Sequence, residues 1–228
     1  TQFTAVQAAG GIEALGRAGL NTSEQLETIP QVLDLATATG LELSEAASVT
    51  TKAIKGMGLE FAESKRVTDA FVTASQNANT DVRKLGLAFS QVAPIAKTAG
   101  LSFEQAAAST ALLQDAGLDA TRAGTGLRQI LAQLNDPTST FAEALSEAGI
   151  ETRDFTEVLT QLKGGGDSAR SAINAMSVEA RAALELLVEQ GGAGVGELPE
   201  RLNNAEGAAG DAASTMRDTL HNALERLG

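Results

Sequence analysis

Gly100-Leu-Ser-Phe-Glu-Gln-Ala-Ala-Ala-Ser-Thr-Ala-Leu-Leu-Gln-Asp-Ala-Gly-Leu118 reads as one helix with a stop at either end. Glycine suits the left-handed conformation that closes a helix, and an apolar residue after it packs back on the last turn. A hydroxyl, here Ser102, then caps the helix that follows. The same Gly-Leu or Gly-Ile step, with a Ser or Thr a few residues on, recurs at Gly19-Leu20, Gly40-Leu41, Gly58-Leu59, Gly117-Leu118 and Gly149-Ile150. Three of the five intervals between these marks run 17 to 21 residues, which fits one helix of three or four turns and a tight connection. The spacing predicts an all-α chain, a compact multi-helix bundle of short helical hairpins.

The composition agrees. The 228 residues are 43% hydrophobic but only 3% aromatic, without Trp or Tyr, so Ala and Leu must build the core and helices are favoured over sheets. The absence of Cys removes disulfides, thiolate metal sites and cysteine nucleophiles. A net charge of −12, spread along the chain, favours solubility and argues against direct nucleic-acid binding. No apolar run is long enough for a membrane span in this segment, and no signal-peptide pattern is present. The start at Thr1 suggests a piece of a longer chain or a processed product.

Helices are expected over 4–18, 23–38, 44–57, 61–77, 81–98, 102–115, 121–135, 138–148, 153–163, 168–176 and 178–190. Clear apolar stripes mark three of them: Val67, Ala70, Phe71, Ala74 and Ala78; Leu127, Ile130, Leu131 and Leu134; Ala180, Leu184, Leu187 and Val188. Pro30 and Pro94 should kink or split their helices. Asp136-Pro137 reads as a stop, with Thr138 or Ser139 capping the next helix. The pattern at 40–59 returns at 100–118, either as a repeated hairpin or because Ala-rich amphipathic helices share constraints.

Three regions are expected: a helical core domain over 1–190, a Gly-rich linker over 191–197 and an amphipathic helical segment over 198–228. In the last, Ala209, Ala213, Met216, Leu220, Ala223 and Leu227 alternate spacings of four and three. That is either a coiled-coil seam or a terminal helix packed on its own domain.

Catalytic, cofactor and metal readings all come out empty. His221 is the single histidine, and neither a second imidazole nor a thiol can join it. The pairs Glu60/Glu63 and Glu185/Glu189 have the chemistry of paired carboxylates but the spacing of solvated helix faces. The glycines near residue 194 follow a helix rather than a strand and lack the Lys-Ser/Thr of a phosphate loop. Gly86, Gly124 and Gly126 read as sites of close helix packing.

One ordered set of local patterns carries a family likeness: Pro30-Gln-Val-Leu-Asp-Leu-Ala36, Asn79-Thr-Asp-Val82, Gly86, Val92-Ala-Pro-Ile-Ala96, Gly100-Leu101, Ala106-Ala107, Asp115-Ala-Gly-Leu118 and Ala123-Gly-Thr-Gly-Leu-Arg128. It resembles the core region of tailed-phage or prophage tail tape-measure proteins, strongly over residues 10 to 135 and more weakly from Met176 to Met216. The resemblance implies a virion structural component that helps build the tail, set its length and deliver the genome. It implies a location in the virion tail, with assembly in the host bacterial cytoplasm. The implied partners are other tape-measure copies, as a homo-oligomer, together with tail-tube and tail-tip proteins and tail assembly chaperones; no cofactor is implied.

The residues limit that role. Frequent helix stops make a poor ruler, so the expectation is a compact domain used for assembly, docking or delivery, either at a wide end of the tail or opening its hairpins in the lumen. The rival readings are a bacterial helical adaptor unrelated to tails and a tail-borne wall hydrolase.

Overall fold

The computed structural model describes residues 3–227, with side chains at all of these except 191–195 and 220–227. Among the described residues the elements are helices alone: α1 (Ala5–Arg17), α2 (Thr22–Thr39), α3 (Leu43–Met57), a 3-10 turn (Phe61–Glu63), α4 (Ser64–Asn77), α5 (Val82–Thr98), α6 (Phe103–Asp115), α7 (Ala120–Asn135), α8 (Thr140–Glu147), α9 (Phe155–Gly164), α10 (Gly166–Asn174), α11 (Val178–Asn203) and α12 (Ala208–Leu227). Through α10 the bounds fall within two residues of the sequence reading, except that residues 61–63 tighten into the 3-10 turn ahead of α4.

All six glycines of the Gly-Leu or Gly-Ile steps have positive φ, from 67° at Gly58 to 97° at Gly117. Five close in the same way. The N–H of the following residue reaches back five positions, as in Leu20 to Leu15 O (3.2 Å), Leu101 to Ala96 O (3.0 Å) and Ile150 to Leu145 O (2.8 Å), while the glycine N–H reaches back three. These paired bonds satisfy carbonyls that the helix end would otherwise leave open. The expected hydroxyl caps hold at Ser102, which exchanges bonds with Gln105, and at Ser139. After Gly19, Gly117 and Gly149 the cap is instead an Asn or Asp: Asn21, Asp119 and Asp154 do the work expected of Ser or Thr, because their side-chain oxygens reach the same amides.

The helices stack in two layers. The odd helices α1, α3, α5 and α7 each pack on the next, and the even helices α2, α4 and α6 do the same, extended by α12 beside α2 and α11 beside α6. Close pairs show that the odd helices run parallel: Gly11 meets Leu43, Val49 meets Gly86, Gly56 meets Ala93, and Ala88 meets Gly124. At Gly124 a Cβ would lie 2.7 Å from the Ala88 carbonyl oxygen, so glycine lets the two backbones touch. Parallel packing places the negative helix ends along one edge. Lys55 donates to the Ala18 carbonyl at the end of α1, and the Lys97 side chain covers Gly58 at the end of α3, setting a cation over each.

Between the layers, Phe71, Phe89 and Phe103 of α4, α5 and α6 meet edge to face at 5.1–5.5 Å between ring centres, all fully buried. The accessible surface, 10869 Å², is close to the roughly 9,700 Å² expected of a folded monomer of this mass. Residues 40–59 and 100–118 contribute α3 to the odd layer and α6 to the even layer.

Pro30 and Pro94 do not split their helices; α2 and α5 run through them. One lost amide bond is outweighed where Val32, Leu35 and Ala36, or Val92, Ala93 and Ala96, are essentially fully buried on the same helix. Residues 191–197, expected as a linker, carry helical backbone inside α11, and what the side chains of 191–195 touch lies outside the described residues. The segment beyond 198 joins the common core through Leu198, Leu202 and Ala209. Of the heptad residues, Ala209 and Ala213 are buried, with α12 packed against α2 and α4, while Met216 is 43% exposed. Leu220, Ala223 and Leu227 lie outside the residues with described side chains, as does His221.

Candidate functional site

Buried charge gathers on α4. Arg66 and Asp69 are three residues apart, so both project from one side of the helix. The Arg66 guanidinium donates to Glu104 and to Glu63, each at 2.8 Å, and Glu104 is only 1% exposed. Asp69, at 3% exposure, accepts from Lys65 (3.0 Å), from the Gly207 N–H (2.8 Å) and from the Ala209 N–H (2.9 Å). A groove of about 390 Å³ opens beside them, lined also by Leu202 and Asn203. Both buried carboxylates are neutralised, and each Asp69 oxygen is already taken by a backbone donor. The cluster clamps α4 to α6, to the 3-10 turn and to the start of α12.

Sequence reading did not single out Arg66, Asp69 or Glu104. The available signal was burial around the whole helix: α4 buries residues on both sides of its Val67–Phe71 stripe, so a charge there must find a partner.

The carboxylate pairs that the sequence did single out are engaged or exposed. Glu63 accepts from the Glu60 N–H at 3.0 Å as well as from Arg66. Glu185 and Glu189 are exposed, and the Glu189 carbonyl accepts from Lys163 at 3.0 Å. Buried hydroxyls point back at their own helices: Thr51 to Ala47 O at 2.8 Å, Ser109 to Gln105 O at 2.8 Å and Thr110 to Ala106 O at 2.7 Å. Among the described residues, no group of three or more His, Cys, Asp or Glu is placed to hold a metal ion.

The patterns that carry the family likeness fall on joints of the fold. Asp81 caps α5 through the Lys84 N–H at 2.9 Å. Asp115, at the end of α6, accepts from the Asn79 N–H at 2.8 Å, and neighbouring Gln114 meets the Thr80 hydroxyl, so the α4–α5 turn is tied to α6. Gly86 lies on Val49, Gly124 on Ala88 and Gly126 on Ala183, where added Cβ atoms would come within 2.7 Å. These residues hold helices together. Burial alone would raise the Asp81 carboxyl, but the Lys84 amide and ammonium and the Arg83 amide hold it below its ordinary value. Bonds from the Thr138 hydroxyl and amide lower Asp136 likewise.

An open groove of about 860 Å³ crosses α1, α3 and α5. Ser44, Ser48 and Thr51 form its floor, and Arg17, Lys52 and Lys55 stand around it. Among the described residues no helix is long and apolar enough to cross a membrane.

The family model described as phage-related minor tail protein matches residues 1–225. The chain is 30% identical to a tape measure protein of Pneumococcus phage Dp-1 over 241 residues, covering 100% of this chain and 21% of that protein. It is 29% identical to a probable tape measure protein of Escherichia phage P2 over 154 residues, covering 68% of this chain and 19% of that protein. The chain thus spans about a fifth of the length of the curated relatives it matches. No solved structure matches it.

Proposed function

Since this chain belongs to the phage-related minor tail protein family, we propose that it is a compact helical segment of a longer tail tape-measure polypeptide. Its part is structural: it serves tail assembly and genome delivery, while the counting of tail length falls to other stretches of the polypeptide. The observation that carries this reading is a likeness to a tape measure protein over the whole chain, in a fold whose helices stop at left-handed glycines. Magnitudes favour it. A continuous helix of 228 residues would reach about 340 Å at ~1.5 Å per residue. The longest helix here, α11, has 26 residues and spans about 39 Å.

The family supports a non-enzymatic protein with tail-associated partners. Other copies, tail-tube and tail-tip proteins and assembly chaperones are the partners this reading expects. A folded segment of this length is on the order of 45 Å across, so it either occupies a wide end of the tail or opens its hairpins in the lumen.

Deleting the segment in frame from the parent gene and measuring tails by electron microscopy tests the reading. Loss of tails, or tails of unchanged length, supports it. Viable tails shortened by about 1.5 Å per deleted residue would make the segment a ruler and overturn it.

A further inference from the structure

The groove across α1, α3 and α5 is unlike the rest of this surface. The chain carries 29 acidic residues against 17 basic ones, yet no carboxylate lines the groove, while Arg17, Lys52 and Lys55 do. Arg17 pairs with Glu13 at 3.1 Å on the exposed side of α1. Lys55 is held in place by its bond to the Ala18 carbonyl. Lys52 is exposed and has no ion-pair partner among the described residues.

The floor fits a helix. Ser44, Ser48 and Thr51 follow one another along α3 at spacings of four and three, and no floor side chain is larger than Thr. The stripe from Ser44 to Lys55 extends about 16 Å, or three turns of a docked helix. Among the described residues the elements are helices alone and offer no strand edge to an extended peptide, and the straight stripe along α3 suits a helix laid beside it.

We infer that this groove is a docking site for an acidic helical segment of a partner polypeptide, its carboxylates meeting Arg17, Lys52 and Lys55 and its backbone lying over the hydroxyl floor. The inference stands on the surface alone and does not depend on the tail assignment. Complementary charge would speed encounter and fix register, and binding would weaken as salt rises. A single-stranded nucleic acid is disfavoured, because no aromatic side chain lines the groove for its bases to stack on.

Fluorescence anisotropy on the full 228-residue chain tests this, with a labelled Glu/Ala helical peptide, the same peptide with Gln for Glu, and a single-stranded DNA of equal charge. The Glu peptide is expected to bind, the Gln peptide and the DNA much more weakly. The double reversal Arg17→Glu/Lys52→Glu should weaken Glu-peptide binding by about tenfold or more. Arg170→Glu, a reversal of an exposed cation on α10, should leave it within about twofold, with both variants showing unchanged helicity and melting. Absence of Glu-peptide binding, equal loss in the two variants, or tighter binding of DNA would each overturn the proposal.

Discussion

The Asp69 carboxylate, midway along α4, accepts the N–H of Ala209, 140 residues further on, at 2.9 Å. Its second oxygen takes the N–H of Gly207 at 2.8 Å, so one buried side chain from another helix caps the start of α12. A carboxylate at a helix N-terminus satisfies orphan amides and meets the positive end of the helix dipole. Among the described side chains of α12, Ala209 and Ala213 are the buried apolar ones, and this polar clamp adds to their contact.

Asp69→Ala should therefore loosen α12 ahead of the rest of the fold. The change orphans two amides and leaves the Lys65 ammonium without its partner, at a cost of about 1–3 kcal/mol. Hydrogen exchange should show lost protection in the first turns of α12 with α5 and α6 unchanged. Asp69→Asn, which keeps one acceptor oxygen, should fall between.

Two glycines inside helices should respond oppositely to the same change. A Cβ at Gly124 meets the Ala88 backbone, so Gly124→Ala should destabilise by about 1–3 kcal/mol. Gly10 in α1 has nothing within 4 Å of an added Cβ, so Gly10→Ala should stabilise by about 0.5–1 kcal/mol. Urea denaturation of the two variants gives the signs.

The Thr50 hydroxyl is fully buried in α3 with no hydrogen-bond partner among the described residues. Thr50→Val removes an unsatisfied group at nearly constant volume and should stabilise by about 1 kcal/mol, raising Tm by about 2–4 °C. A lower Tm would mean that the hydroxyl has found a partner.

Acid should weaken the α5 cap at Asp81. Its carboxyl titrates below the ordinary value when folded, so its contribution is complete above about pH 4 and is lost as pH falls further, toward the folded value. Asp81→Asn retains a capping oxygen without the charge. The Tm difference between the native protein and Asp81→Asn should be constant from pH 7 to about 5 and close below about pH 3.5.

Helix positions were legible in the sequence because their stops are chemical: only glycine tolerates positive φ cheaply, and Gly19, Gly40, Gly58, Gly100, Gly117 and Gly149 all have it. The capping residue was less legible, since Asn21 or Asp119 competes with a nearby Thr for the same amides. Layering was not legible at all. The similar patterns at 40–59 and 100–118 end up in different layers, because which layer a helix joins depends on long-range contacts such as Gly86 on Val49. The charged clamp of Arg66, Asp69 and Glu104 was hidden for a related reason: its links to α6 and α12 join residues 38 to 140 apart in the chain.

Small-angle X-ray scattering of the 228-residue chain tests the central claim, that glycine-closed helices fold this part of a tail protein into a layered body rather than a rod. The account predicts a radius of gyration of about 17 Å. A value near 100 Å, as for a single helix about 340 Å long, would contradict it.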